Sequence, residues 1–394
     1  MSSEGLHQIV TTLLLALKLV LFFSSPARGG ELETPDQILQ YLTQHRKDAA
    51  VVSYTVRPDG APDPADPILL HNADQPMPLA STIKIVVLAA YAREVTAGRL
   101  DPEAKVTLGA WEDYYLPGTD GGAHPAALAA LEIPTDERGF ATNPEKEVTL
   151  DNLAHVMIRF SDNAATDFLM ARIGRENLRA TIAAAGLSGQ ELPLPILGVF
   201  LSWYNHEDGN LTSRRLRKLL AMSNASYAAE VDRLTAAFQK EDWRAAELQF
   251  LLNGRAFSGW HLESRAAGAL FPQGTAGDYG RILAGVTTGT FLSPEVSAVM
   301  RRHLDIPLPN QDVFLTLGFK GGALAGVLTG AYYFTPTVGD FAGKPHVSVV
   351  FLRDLPARDW TRLLETAGQE AFALRLGLDR ALAEQAQRTL ARRR

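Results

Sequence analysis

The sequence predicts an α+β fold, an antiparallel sheet assembled from both chain ends with helices flanking it and a helical subdomain between. Two observations carry this. Strand-like apolar runs cluster near both termini, and the long middle has helical periodicity without the strand–helix alternation of a parallel sheet. No internal repeat or low-complexity linker divides the chain.

Along the chain, Ile9 to Phe23 is an apolar run interrupted by Thr11, Thr12 and Lys18, followed by Ser25-Pro26-Ala27 with small residues suited to cleavage after Ala27. Its 15 residues are short for a membrane span and fit a signal-peptide core. Glu4 and the absence of Lys or Arg ahead of the run make it atypical. Residues 1–27 are therefore expected to be an export signal. Residues 28–394 are expected to form one periplasmic or secreted domain without a stable membrane span.

Thr34-Pro35 opens a helix over Asp36 to Arg46. Ala49 to Val56 and Ile68 to Asn72 read as strands around the turn Pro58-Asp59-Gly60. A helix carrying Ser81 and Lys84 runs to about Ala97 and stops at Gly98. Leu150, Leu153, Met157 and Phe160 form one helical face. Helices follow at Ala164 to Ile173 and Glu176 to Ala185, then a stretch from Ser213 to about Leu252, and two more within Thr275 to Leu304. Strands return at Val313 to Phe319, Val327 to Phe334 and His346 to Leu352, and one long helix from Ala357 to Leu390 closes the chain.

Composition excludes several function classes. Of the 394 residues 46% are hydrophobic, enough for a large core. The net charge of −6, with basic residues concentrated only at Arg392-Arg393-Arg394, argues against a nucleic-acid partner. The chain has no cysteine, so thiol chemistry and disulfides are absent. Its nine histidines show no metal-ligand spacing, so neither a metal nor another cofactor is expected. Gly186-Leu187-Ser188-Gly189-Gln190 misses the G-x-S-x-G elbow by one residue.

One chemical oddity remains. Lys84 interrupts the apolar run from Ile83 to Tyr91, three residues after Ser81. An unpaired buried ammonium is costly, so Lys84 either snorkels out or finds a polar partner. On a helix, residues three apart share a face, which makes Ser81 a candidate nucleophile and Lys84 its base. Burial lowers a lysine's pKa toward the range where it can act as one. Two further motifs follow in order: Ser161-Asp162-Asn163 after a helix and Lys320-Gly321-Gly322 after a strand. Taken singly, the first also reads as a helix cap and the second as a strand-end turn.

Together, S-x-x-K, S-D-N and a K-x-G strand motif give the chain its resemblance to the class A β-lactamase-like serine hydrolases, within the penicillin-recognising serine enzymes. Val148-Thr149-Leu150 through Ser161-Asp162-Asn163-Ala164-Ala165-Thr166-Asp167 is the closest match, and Tyr115-Leu116-Pro117 resembles the family's cleft wall, though Tyr115 also suits a core. The resemblance implies a β-lactamase/transpeptidase-like fold over most of Glu31 to Leu378. It implies that Ser81, Lys84, Ser161 and Lys320 are catalytic, with Ser161 relaying a proton to the leaving group. Asn163, Tyr115, Gly322 and Ala323 would bind substrate, with Asn163 holding either substrate or Lys84 and the Ala323 N–H joining that of Ser81 as an oxyanion donor.

Two departures bear on what the chain does. The family's β-lactamases place a deacylating glutamate about 36 residues beyond the S-D-N serine, a count that reaches Leu197 here. Glu191 and Glu207 lie nearby but off that spacing. Gly321 also stands where the family has Thr or Ser. From Ser81 to Ser161 is 80 residues and from Ser161 to Lys320 is 159. These intervals exceed the family's by about twenty and about fifty-five, implying helical insertions near 118–147 and 206–264 that reshape substrate choice. The expected activity is a serine hydrolase acting through an acyl-enzyme on a β-lactam, a D-amino-acid peptide or an ester. The alternative is a sensor that is acylated by a β-lactam or cell-wall fragment and does not turn it over.

Overall fold

A computed structural model describes residues 32–390, so the expected signal segment lies outside the described residues. Within them the chain forms two compact units, residues 84–181 with 192–272, and residues 32–83 with 182–191 and 273–390. Elements are numbered along the chain.

The second unit holds the sheet. Its strands are β1 (Ala49–Thr55), β2 (Leu69–His71), β7 (Phe314–Leu324), β8 (Val327–Pro336) and β9 (His346–Leu352), in the order β2-β1-β9-β8-β7. Every pairing is antiparallel, with Val51 opposite Val350 and Lys320 opposite Ala331. Strands from both chain ends thus share one sheet, as expected. A short pair, β3 (Pro76–Pro78) with β6 (Gln273–Thr275), lies apart.

Successive strand residues face opposite sides, and both sides are covered. Val51 and Val350 join one core with α1 (Pro35–Gln44), α15 (Ala357–Thr366), α16 (Gly368–Arg375) and α17 (Arg380–Leu390), through Ile38, Leu363, Phe372 and Ala386. Val52, on the other side, meets Gly280 of α13 (Ala276–Thr288), whose Tyr279 packs edge-on against Phe351 at 5.4 Å. Helix α14 (Pro294–Leu304) completes this unit. The long helix expected over 357–390 is three. Thr366 turns its hydroxyl to the Leu32 carbonyl at 2.8 Å and Ala367 takes φ +52, ending α15.

His346 is fully buried, with Nε2 at 2.8 Å from Ser53 Oγ. Burial pushes its pKa down to about 3, against a weaker upward pull from Asp66. The unfolded chain therefore binds a proton that the folded one refuses. Stability contributed by His346 is complete above its unfolded pKa near 6.5 and is lost as pH falls toward 3. Thermal melts between pH 7.5 and 4.5 should show a fall in Tm that flattens in His346→Gln; an unchanged slope contradicts this assignment.

The first unit is largely helical. Helix α2 (Lys84–Thr96) is buried nearly all round and packs on α5 (Leu150–Arg159) and α6 (Asn163–Ile173). The pair β4 (Lys105–Thr107) and β5 (Glu147–Thr149) leads into α3 (Leu108–Glu112) and α5, each N-capped by a threonine, Thr107 and Thr149. Between them, within residues 118–147, lies α4 (Ala123–Ala130). Helix α7 (Arg175–Ala184) spans the unit boundary, and α8 (Ile196–Trp203) packs on α6.

Residues 206–264 supply α9 (Ser213–Leu220), α10 (Asn224–Phe238), α11 (Glu241–Asn253) and the start of α12 (Trp260–Leu270). The single stretch expected over 213–252 is broken because Ser223 leaves helical geometry to cap the Ser226 N–H at 3.2 Å. Among the described residues no helix is long and apolar enough to cross a membrane.

Candidate active site

Ser81 sits in a 3-10 turn, Ala80–Ile83, rather than in the α-helix expected for it. Leu79 pins this turn, its carbonyl accepting from Thr82 Oγ1 at 2.6 Å and from Thr329 Oγ1 of β8 at 2.8 Å. Ala80 is held at φ +45, a conformation that L-residues avoid and that recurs where a side chain must be aimed. Ser81 is half-buried. Strand β7 runs beside the turn, and Gly322 comes so close that a β-carbon there would overlap the Ser81 amide nitrogen. Lys320 is buried on the same strand, its Nζ donating to the Gly321 carbonyl at 2.7 Å. Lys320-Gly321-Gly322 therefore lies inside β7 rather than after it. Ala323, next along, is exposed.

Lys84 opens α2 and is fully buried. It does not snorkel. Its Nζ donates to the Ser161 carbonyl at 2.7 Å and to Asn163 Oδ1 at 2.7 Å, and lies 3.1 Å from Ser161 Oγ. Ser161 takes φ +67 in the reversal between α5 and α6, which turns both its carbonyl and its hydroxyl to the lysine. Asp162 fixes that reversal by capping α6, Oδ1 accepting from the Ala165 N–H at 2.6 Å.

Burial is the main influence on Lys84 and pushes its pKa down to about 8, against upward pulls from Asp162, Asp167 and Asp120. The hydrogen bonds suit either protonation state. A carbonyl and an amide oxygen accept two N–H groups, and the third neighbour is a hydroxyl that can accept from an ammonium or donate to a neutral amine.

Other sequence-predicted residues fall differently. Tyr115 is buried at 4% exposure, stacked on His124 at 4.1 Å between ring centres and edge-on to Phe140 at 4.9 Å. Of its two readings, this placement is that of a packing residue. Glu191 is exposed and accepts the Gln273 N–H at 2.9 Å; Glu207 is exposed and accepts from Trp243 Nε1 at 3.0 Å. Leu197 is buried in the first turn of α8.

Three carboxylates and one imidazole were not singled out by the sequence. Asp167 accepts the Ile196 and Leu197 N–H groups, each at 2.8 Å, tying α8 to α6. Burial drives its pKa up to about 7, although those two N–H groups pull it down. Glu112, His124 and Asp162 form a second buried group. Asp167 stands in the motif-bearing stretch and was detectable there. His124 comes from the insertion and carries no local spacing signal.

The family model for the beta-lactamase enzyme family matches residues 63–307. The chain belongs to the beta-lactamase enzyme family. That match runs from before Ser81 to beyond the Asp162 loop and α14, and it stops short of β7. No curated protein matches the sequence. Among solved structures, a beta-lactamase from Sphaerobacter thermophilus DSM 20745 is 17% identical with a TM-score of 0.49, covering 84% of this chain and 94% of that one. The acyl-enzyme complex of a leucine-to-glutamate mutant of PBP-A with penicillin G is 16% identical at 0.48, covering 86% and 96%. A beta-lactamase from Xanthomonas campestris pv. campestris is 13% identical at 0.49, covering 89% and 99%. Among the described residues no group of three or more His, Asp or Glu is placed to hold a metal ion.

Proposed function

We propose that this beta-lactamase family member is a serine hydrolase that forms an acyl-enzyme on Ser81, with a β-lactam, a D-amino-acid peptide or an ester as substrate. The observation that carries the reading is Lys84, fully buried, held by Ser161 and Asn163, and shifted toward neutrality. The S-x-x-K spacing, Ser81 three residues before Lys84, supports pairing this serine with the lysine.

Ser81 Oγ attacks the carbonyl carbon and its proton passes to Lys84 Nζ. The developing oxyanion takes hydrogen bonds from the Ser81 N–H, at the entry to α2, and from the Ala323 N–H of β7. Collapse breaks the carbonyl–nitrogen or carbonyl–oxygen bond. Ser161 Oγ protonates the leaving group and recovers its proton from Lys84. Lys320 and Asn163 orient the substrate. The apolar run ending at Ser25-Pro26-Ala27 supports an exported protein.

A specific observation favours slow release. Glu191 and Glu207 are exposed and already bonded, Leu197 is buried, and Asp167 spends both oxygens on backbone amides. None of these supports a carboxylate poised over an ester. Incubation with a fluorescent penicillin and a chromogenic cephalosporin should therefore give a stoichiometric adduct that outlasts minutes, with little product. Rapid turnover of the cephalosporin would favour a lactamase with another base. Absence of an adduct with every β-lactam, ester and D-peptide tried would remove the reading.

A further inference from the structure

His124 is fully buried on α4, in the 118–147 insertion. Its Nδ1 lies 2.7 Å from Asp162 Oδ2 and its Nε2 lies 3.4 Å from Glu112 Oε1. Both ring nitrogens face carboxylate oxygens, which only accept, and a ring can donate from both nitrogens only as an imidazolium. Glu112 Oε1 also accepts the Ala141 N–H at 2.5 Å, and the His124 N–H donates to Asp120 Oδ2 at 2.8 Å. Tyr115 stacks on one face of the ring and Trp111 meets it edge-on at 4.8 Å. The ring can neither swing away nor reach solvent.

The group it touches matters. Asp162 caps α6 with one oxygen and meets His124 with the other. It separates Ser161 from Asn163, the two residues that bind Lys84 Nζ. Asp162 is also the strongest of the charges that favour the ammonium form of Lys84, ahead of Asp167 and Asp120. The more of that carboxylate's charge is offset, the weaker its pull toward the ammonium form of Lys84.

We propose that His124, held as an imidazolium between Asp162 and Glu112, is a positioning residue for acylation of Ser81. It braces the Ser161–Asn163 turn around Lys84 and offsets the Asp162 charge, which favours the ammonium form of Lys84. The proposal rests on the hydrolase reading above.

The charged and titratable groups facing this ring are Glu112 at the end of α3, Tyr115 and Asp120 in the following loop, and Asp162 ahead of α6. Lys84 and Asp167 also feel the Asp162 charge. Burial alone would lower the imidazole pKa. The charge and hydrogen bond of Asp162, then those of Glu112, outweigh it and bring the pKa up to about 9. Asp120 is pushed above the usual carboxylate range by burial and by Asp162, against a downward pull from His124.

His124→Asn separates bracing from charge, because an asparagine amide can replace the Nδ1–H donor to Asp162 but carries no charge. Acylation by a fluorescent penicillin, followed against pH, should show the rising limb moved up by about half a unit or more in this variant. The rate at pH 7 should fall at least about threefold and approach the wild-type rate at high pH. A variant profile superimposable on wild type, or lowered equally at every pH, overturns the charge role.

Should His124→Asn not fold, 15N spectra of the wild-type histidines decide. The proposal expects one buried ring with both nitrogens protonated at pH 7, and a neutral tautomer there overturns it. A wild-type protein that forms no adduct overturns the hydrolase reading and this role with it. A wild-type adduct with an unchanged variant profile overturns this inference alone.

Discussion

Lys84→Met is expected to slow acylation of Ser81 by about 10²–10⁴-fold, the usual contribution of a positioned general base. Methionine keeps the length and the apolar stem that α2 buries, so the helix should still pack on α5 and α6. What disappears is a group that is neutral often enough to take a proton. With its pKa near 8, about a tenth of Lys84 is neutral at pH 7, against about 0.03% at an ordinary lysine pKa. Burial thus raises the supply of free amine about 300-fold. The wild-type rate should climb with pH toward a plateau above about 8, and the climb should vanish in Lys84→Met. Stopped-flow measurement with a fluorescent penicillin checks both. A folded Lys84→Met protein that acylates within threefold of wild type would assign the base elsewhere.

Gly322→Ala should be the second large effect, and it acts through space rather than charge. A β-carbon at 322 would overlap the Ser81 amide nitrogen and lie 2.7 Å from Thr329 Oγ1 and 3.0 Å from Ala80 Cβ. Thr329 cannot retreat without releasing the Leu79 carbonyl that anchors the turn. Ala80, already at positive φ, has little freedom to yield. The turn must shift, at a cost of about 1–3 kcal/mol for overpacking, and the Ser81 N–H is displaced from wherever an oxyanion would bind.

We expect a lower Tm together with a fall in acylation rate of at least about 100-fold, the loss typical of one oxyanion donor. Gly321→Ser is the internal control. Its β-carbon would meet the Thr329 carbonyl at 3.7 Å and Phe319 Cε2 at 3.8 Å, ordinary contact distances. Circular-dichroism melts with acylation rates on both variants test the contrast, and equal tolerance at 321 and 322 would contradict it.

The strands, the three motifs and the buried lysine were legible because each is local. Short continuous apolar runs mark β1, β8 and β9, buried almost throughout, and a lone charge in an apolar helix announces its need for a partner. Ser81 is the nearest hydroxyl to Lys84 by sequence, and the structure brings Ser161 and Asn163 to the lysine Nζ from some 80 residues on.

Helix breaks were missed where tertiary contacts impose them, as at Thr366 against Leu32. His124 was invisible because its role depends on Glu112 and Asp162, twelve residues before it and 38 after, with a turn-rich insertion between. Tyr115 is buried and stacked on His124, and composition cannot tell a ring that lines a cleft from one stacked under it.

The central claim is that Ser81 is the nucleophile. Intact-mass and peptide mapping after incubation with a penicillin test it most directly. The account predicts one penicilloyl group per chain, carried by the peptide that holds Ser81, and none on Ser81→Ala under the same conditions. An adduct on any other residue, or full modification or turnover retained by Ser81→Ala, would contradict it.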